Sequence, residues 1–152
     1  MKYTLKRTQQ LYCDVETAWH FFSSARNLAE ITPKSMRFEV LSDLDGGEIF
    51  EGMCINYYVS PLFGIRLRWE TEILEVDRLK SFVDLQRKGP YKLWHHRHEF
   101  VPNTKGVLMH DTVDYELPFG LLGDLTHMLI VKRKLRNIFD YRYGVLEAMF
   151  NT

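Results

Sequence analysis

From residue 36 to residue 117 apolar and polar positions alternate, and beyond residue 120 the spacing lengthens to that of a helix. Ahead of the alternating region, residues 3–12 are expected to form a first strand. Asp14 offers an N-cap, and Val15, Ala18, Trp19 and Phe22 follow at helical spacing. Residues 25–31 predict a second short helix that Thr32-Pro33 stops. Strands are expected at Phe38–Leu41, Ile49–Val59, Ile65–Ile73, Ser81–Lys88, Tyr91–Pro102 and Val107–Leu117. Turn residues separate them: Asp43-Leu-Asp-Gly-Gly47, Ser60-Pro61, Asp77–Lys80, Gly89-Pro90 and Asn103–Gly106. The strand Ile65–Ile73 shows the cleanest alternation, with Arg66, Arg68, Glu70 and Glu72 on its polar side. After Pro118-Phe-Gly120, residues 121–150 form one long helix in which Leu121, Leu125, Met128, Leu135, Phe139, Leu146 and Met149 make an apolar stripe. Lys132 and Arg142 interrupt that stripe.

The order is strand, two short helices, six strands and one long helix. The connections are short, so the sheet is antiparallel. Only the last helix, about 45 Å long at its expected length, can cover the apolar face. The expected fold class is therefore α+β: a curved antiparallel sheet of about seven strands wrapped around a long C-terminal helix, in a single domain over residues 1–152. A bent sheet and a straight rod leave space between them, which is a natural ligand cavity.

The inward faces of the last two strands carry unusual chemistry. Trp94, His96, His98 and Phe100 share one face, and Met109, Asp111, Val113, Tyr115 and Leu117 share the next. Burying ionisable groups without partners costs several kcal/mol each. One antiparallel register sets His98 opposite Asp111, and the other sets His96 there. Either way a carboxylate and an imidazole lie about 5 Å apart at Cβ. Three readings remain open for His96, His98 and Asp111: a self-satisfied structural network, recognition of a polar group on an apolar ligand, or chemistry. The chemistry would be general acid–base work or a metal held by two histidines and one carboxylate. Trp69 and Trp94 point inward as core or as ligand platforms, and a buried Tyr115 hydroxyl needs a partner. Asp84 and Gln86 face inward in one of two registers allowed by Gly89-Pro90, but Val83 and Leu85 favour the other. His95 has outward parity.

The 152 residues are 45% hydrophobic and carry 20 basic against 20 acidic side chains, so no basic excess points to nucleic acid. The run Lys132, Arg133, Lys134 and Arg136 is expected to be a solvated helix face. Cys13 and Cys54 are too few for a disulfide scaffold and suit reduced thiols in the cytoplasm. No signal peptide or membrane span is expected. The apolar turns Leu62-Phe63-Gly64 and Pro118–Leu122 cap a cavity mouth, dock a partner or, more simply, close the ends of the core.

The run Phe82-Val-Asp84-x-Gln86-x-x-Gly89-Pro90-Tyr91-x-x-Trp94-x-His96-x-His98-x-Phe100 resembles the START-like, or Bet v 1-like, helix-grip superfamily (SRPBCC), in its bacterial ligand-binding branch. Met109-x-Asp111-x-Val113-x-Tyr115-x-x-Pro118-x-Gly120 and Asn27-Leu-x-x-Ile31-Thr32-Pro33 extend the likeness over essentially the whole chain. The resemblance implies a cavity for a hydrophobic small molecule such as a lipid, quinone or polyketide, lined by Trp69, Trp94, His96, His98, Met109, Asp111 and Tyr115. It implies no cofactor, supports no metal and transfers no catalytic residue. The alternatives are a polyketide cyclase or dehydratase using His96 or His98 with Asp111, and a non-catalytic accessory protein.

Overall fold

The computed structural model describes residues 1–42, 46–61 and 63–152, so Asp43–Asp45 of the first expected turn, and Leu62, lie outside the described residues. The chain runs β1 (Lys2–Leu11), α1 (Val15–Phe22), 3₁₀ turns at Ala25–Ile31 and Lys34–Met36, then β2 (Glu39–Val40) and β3 (Cys54–Val59). It continues through β4 (Leu67–Asp77), β5 (Ser81–Lys88), β6 (Leu93–Asn103) and β7 (Gly106–Glu116). A helix closes it, in three parts: α2 (Gly120–Thr126), a π-helical turn (His127–Val131) and α3 (Lys132–Phe150).

The seven strands form one antiparallel sheet in the order β1-β7-β6-β5-β4-β3-β2. Sequence neighbours pair throughout, except that β1 closes on β7 from Lys2↔Glu116 to Leu11↔Val107. This is the expected architecture. Asp14 caps α1 as expected, its carboxylate accepting from Thr17 N at 2.7 Å. The strand expected from Ile49 starts later, at Cys54, because the backbone at Ile49 turns away to donate to Ser23 O. Irregularities in the β4–β5 pairing at Glu70/Thr71 and Ile73/Glu75 shift the alternation of β4, so Val76 packs inward beyond the bulge.

Trp19 anchors the core. It is fully buried, with its ring edge-on to Phe82 and Phe100 at 5.9 and 5.6 Å. The β6–β7 hairpin requires glycine at position 106: φ is +141°, and a Cβ there would lie 2.3 Å from Leu11 O. The closing helix lies across the concave face and is tied to β1. Gln9 Nε2 donates to Tyr143 O at 3.0 Å, and Arg7 pairs with Asp140 at 2.7 Å.

The expected stripe of that helix is half right. Leu135, Phe139 and Leu146 are buried, but Leu121, Leu125, Met128 and Met149 are exposed. The π turn is the cause for Leu121, Leu125 and Met128, whereas Met149 lies beyond it in the last turn of α3. The π turn holds an extra residue per turn, which rotates the preceding helix relative to α3. The buried line runs instead through Gly123, His127, Val131, Leu135, Phe139, Arg142 and Leu146. Phe63, Phe119, Leu121 and Leu122 do not close the core, since each is well exposed. Lys132, Arg133, Lys134 and Arg136 are solvated as expected. Cys13 is half-buried, Cys54 is exposed, and both are free thiols. No helix among the described residues is long and apolar enough to cross a membrane.

Leu146 is 1% exposed and joins α3 to the main core. Leu146→Ala is expected to cost about 2–5 kcal/mol, measured as a lowered urea midpoint with an unchanged slope.

Candidate functional site

The β5–β6 and β6–β7 registers set the site. Phe82 pairs with His98, Asp84 with His96, and His98 with Asp111. Directly opposed residues point to the same side of a sheet. Asp84 and Gln86 therefore face inward with the two histidines, which corrects the expectation that favoured Val83 and Leu85. Val83 is buried on the other face without reaching the core, flanked by Glu75 and Arg97, which pair across it at 3.7 Å. Long charged side chains cover an aliphatic neighbour with their stems, so Val83 had no need to turn inward. Gln86 clamps the Gly89-Pro90 turn, bonding both Tyr91 N and Tyr91 O.

The inward groups form one network. His96 Nε2 donates to Asp111 Oδ1 at 2.9 Å, and His98 Nε2 donates to Asp84 Oδ2 at 2.7 Å. The other nitrogens complete a ring: His98 Nδ1 is 3.2 Å from Asp111 Oδ1, and His96 Nδ1 is 3.8 Å from Asp84 Oδ2. The His98 Nδ1 contact is short but poorly aligned, so this buried atom lacks a well-formed hydrogen bond. The imidazole centroids lie 3.7 Å apart with the rings tilted by 30°, and Phe82 stacks on His98 at 4.0 Å. Arg142, from the closing helix, reaches Asp111 Oδ1 at 3.4 Å. It appears in the sequence only as an interruption of an apolar stripe, and nothing local names its partner 31 residues away.

Burial opposes charge on the two carboxylates and the two imidazoles, and neighbouring charges and hydrogen bonds outweigh it for all but His96. Burial would raise Asp111, but the Arg142 charge and the hydrogen bonds from His96 and His98 hold it well below the usual carboxylate range. Asp84 is likewise lowered against burial, by the His98 bond and the surrounding positive charges. Burial and the charge of its neighbour push His96 down. His98 is raised despite burial, because it faces both carboxylates. Two carboxylates and one guanidinium balance when one of the two imidazoles is protonated.

A cavity of about 190 Å³ lies between this network, the 3₁₀ segment and α3. Its sheet wall carries Ile55, Tyr57, Trp69, Thr71, Ile73, Phe82 and Trp94, and its helix wall carries Leu135, Ile138 and Phe139. Asp84, His96, His98 and Arg142 form its polar end. The buried Trp69 Nε1 has no hydrogen-bond partner among the described residues. Of the residues expected to line a cavity, Trp69, Trp94, His96 and His98 do so. Asp111 stands behind the histidines, and Met109 is 1% exposed within the main core. Tyr115 finds its partner elsewhere, sharing a 2.7 Å hydrogen bond with His127, whose ring stacks on Tyr3 at 3.5 Å. His127 escaped the sequence analysis because the π turn moves it into the buried line.

The opposed shifts of the two histidines give a pH signature. His98 contributes fully to stability below the ordinary histidine value of 6.5 and loses that contribution as pH rises through its raised value. His96 does the reverse, contributing fully above 6.5 and losing stability as pH falls through its lowered value. The carboxylates add a further loss below 3.8. Melting temperature is expected to fall on both sides of neutrality, and His98→Gln is expected to remove the fall at alkaline pH. Thermal melts across a pH series check this, and an identical alkaline limb in wild type and variant would contradict it.

No family model matches this chain, and no curated protein matches it in sequence. Solved structures do match. A protein from Chromobacterium violaceum aligns with TM-score 0.73 at 14% identity, over 99% of both chains. A START superfamily protein from Mycobacterium smegmatis aligns with TM-score 0.69 at 12% identity, over 97% of both. Norcoclaurine synthase from Thalictrum flavum, as a point mutant bound to a transition-state analogue, aligns with TM-score 0.67 at 14% identity, over 98% of this chain and 96% of that one. Ara h 8.0201, of the Bet v 1 family, is similar as well. With the seven-stranded curved sheet gripping the last helix, these likenesses show that the chain has the START/Bet v 1-like, or SRPBCC, helix-grip fold.

Proposed function

We propose that the protein binds a small hydrophobic molecule carrying one polar end in the cavity between sheet and closing helix. One observation carries this reading: an aromatic and aliphatic chamber ends in a compact polar cluster of Asp84, His96, His98 and Arg142. Apolar walls with a few convergent polar groups are the usual make-up of a small-molecule site. The size narrows the guest. A dry cavity of roughly 150 Å³ accepts one benzene ring, so about 190 Å³ suits a ring or two, or a short alkyl segment. A whole diacyl lipid does not fit without opening the walls. Trp69, whose buried Nε1 has no hydrogen-bond partner among the described residues, lines the chamber, and Asp84, His96, His98 and Arg142 line its polar end. Among the fold relatives is an enzyme captured with a transition-state analogue, so the scaffold holds small organic molecules in at least one case.

One specific feature favours a second reading as an acid–base enzyme of the cyclase or dehydratase type. His96 and His98 are adjacent, face the cavity and are pushed in opposite directions from a common starting value. Such divergence is how one site keeps an acid and a base at the same pH. His96 would act as the base and His98 as the acid, with Asp111 and Asp84 orienting them.

Native mass spectrometry of protein purified from cell extract tests binding directly, since a co-purifying small apolar molecule is expected. Ile55→Trp fills the chamber. It is expected to abolish ligand binding while costing about 1–3 kcal/mol of stability, followed by quenching of Trp69 and Trp94 fluorescence on titration. His98→Gln is expected to weaken a polar-ended ligand about tenfold, in line with one lost charged hydrogen bond, and to leave a purely apolar probe unaffected. If binding persists in folded Ile55→Trp protein, the ligand lies elsewhere. For the enzyme reading, proton exchange at the α-carbon of a bound apolar ketone in D₂O should vanish in His96→Gln, and equal exchange in wild type and variant would remove it.

A further inference from the structure

We infer that Asp84, His96 and His98 form a binding site for one divalent transition-metal ion, such as zinc, open towards the cavity. The placement of the ring nitrogens carries this. Each imidazole lies between two carboxylates, and the two carboxylates have different surroundings. Towards the cavity, His98 Nε2 and His96 Nδ1 both face Asp84 Oδ2, at 2.7 and 3.8 Å. Away from it, His96 Nε2 and His98 Nδ1 both face Asp111 Oδ1, at 2.9 and 3.2 Å. A metal-bound histidine characteristically gives its remaining N–H to a carboxylate, which fixes ring orientation and tautomer. Here Asp111 accepts from His96 Nε2 and lies 3.2 Å from His98 Nδ1. Asp111 is in turn held by Arg142 at 3.4 Å, so it is an outer support and not a ligand.

The ligand side has suitable dimensions. One donor atom from each of Asp84, His96 and His98 lies within 4.8 Å of the other two. Donors about 2.1 Å from a tetrahedral ion stand about 3.4 Å apart, so adjustments of about an ångström gather them. The three residues sit on adjacent strands β5 and β6, a rigid base for the set. All three residues line the chamber, so an ion held by them borders it. The expectation that paired these histidines with Asp111 as third ligand placed the carboxylate on the wrong side of the rings. The register of β5 supplies Asp84 instead.

The positions left on the ion by three protein ligands would accept an oxygen donor from a guest, such as a carboxylate, enolate or hydroxide.

The test uses the metal alone on the full chain. Chelator-treated protein is titrated with Zn²⁺ by calorimetry and with Co²⁺ by its visible absorption, at neutral pH. One ion per chain is expected, with a four- or five-coordinate cobalt spectrum and release of protons on binding. Asp84→Asn and His98→Gln are each expected to weaken affinity by more than about 100-fold, beyond the loss usual for an outer partner. Imidazole ¹⁵N spectra of the wild type keep the test independent of variants that fail to fold. The ion should perturb His96 Nδ1 and His98 Nε2 and leave His20, His95 and His110 unchanged. Sub-stoichiometric binding in the wild type, or perturbation confined to the other histidines, overturns the inference. Because no organic ligand is used, such a failure leaves the cavity-binding reading standing, and an empty chamber in a metal-binding protein would do the converse.

Discussion

Asp111 is the point on which this structure turns. It stands on β7, receives an imidazole from β6 and pairs with a guanidinium from the closing helix. A buried carboxylate is tolerated only when its partners are in place. Sheet and helix must therefore meet at one relative position for this group to be satisfied. Leu135, Phe139 and Leu146 bury apolar surface of the helix, but such contacts are non-directional. The charged cluster adds the directional requirement, and it sets where along the helix the cavity ends.

The same cluster defines the chemistry of the chamber. Its five groups are charge-balanced when one histidine is protonated, so it can sit against aromatic walls without a counter-ion from solvent. Asp84 is the member that changes the picture most. It turns a two-histidine, one-acid pair into a closed ring of two acids and two imidazoles, with one acid on the cavity side and the other behind. That asymmetry separates a ligand-facing surface from a supporting one. It also gives the histidines unlike environments although they are two residues apart on one strand.

Two structural details account for the differences on the closing helix and on β5. The π turn at His127–Val131 rotates one part of the closing helix, exposing Leu121, Leu125 and Met128 while burying His127. The sequence offers no Pro or paired Gly at that turn to announce it. On β5, two neighbouring apolar residues, Val83 and Leu85, argued for the core from hydrophobicity alone. The ion pair of Arg97 with Glu75 shelters Val83 on the outer face, and that pair exists only once β4, β5 and β6 are aligned.

Period-two alternation, the turn residues, the Asp14 cap and the length of the last amphipathic segment by themselves determined the order of elements, the antiparallel sheet, the gripped helix and the inward face shared by Trp94, His96 and His98. These are local properties, written in side-chain spacing along one stretch of chain. Tertiary structure alone decided the inward turn of Asp84, the pairing of Arg142 with Asp111, the retreat of Met109 and Tyr115 from the cavity and the cavity's modest volume. Each depends on strand register or helix rotation. A shift of one residue in either reverses which side chains meet, while the local pattern that sequence records stays the same.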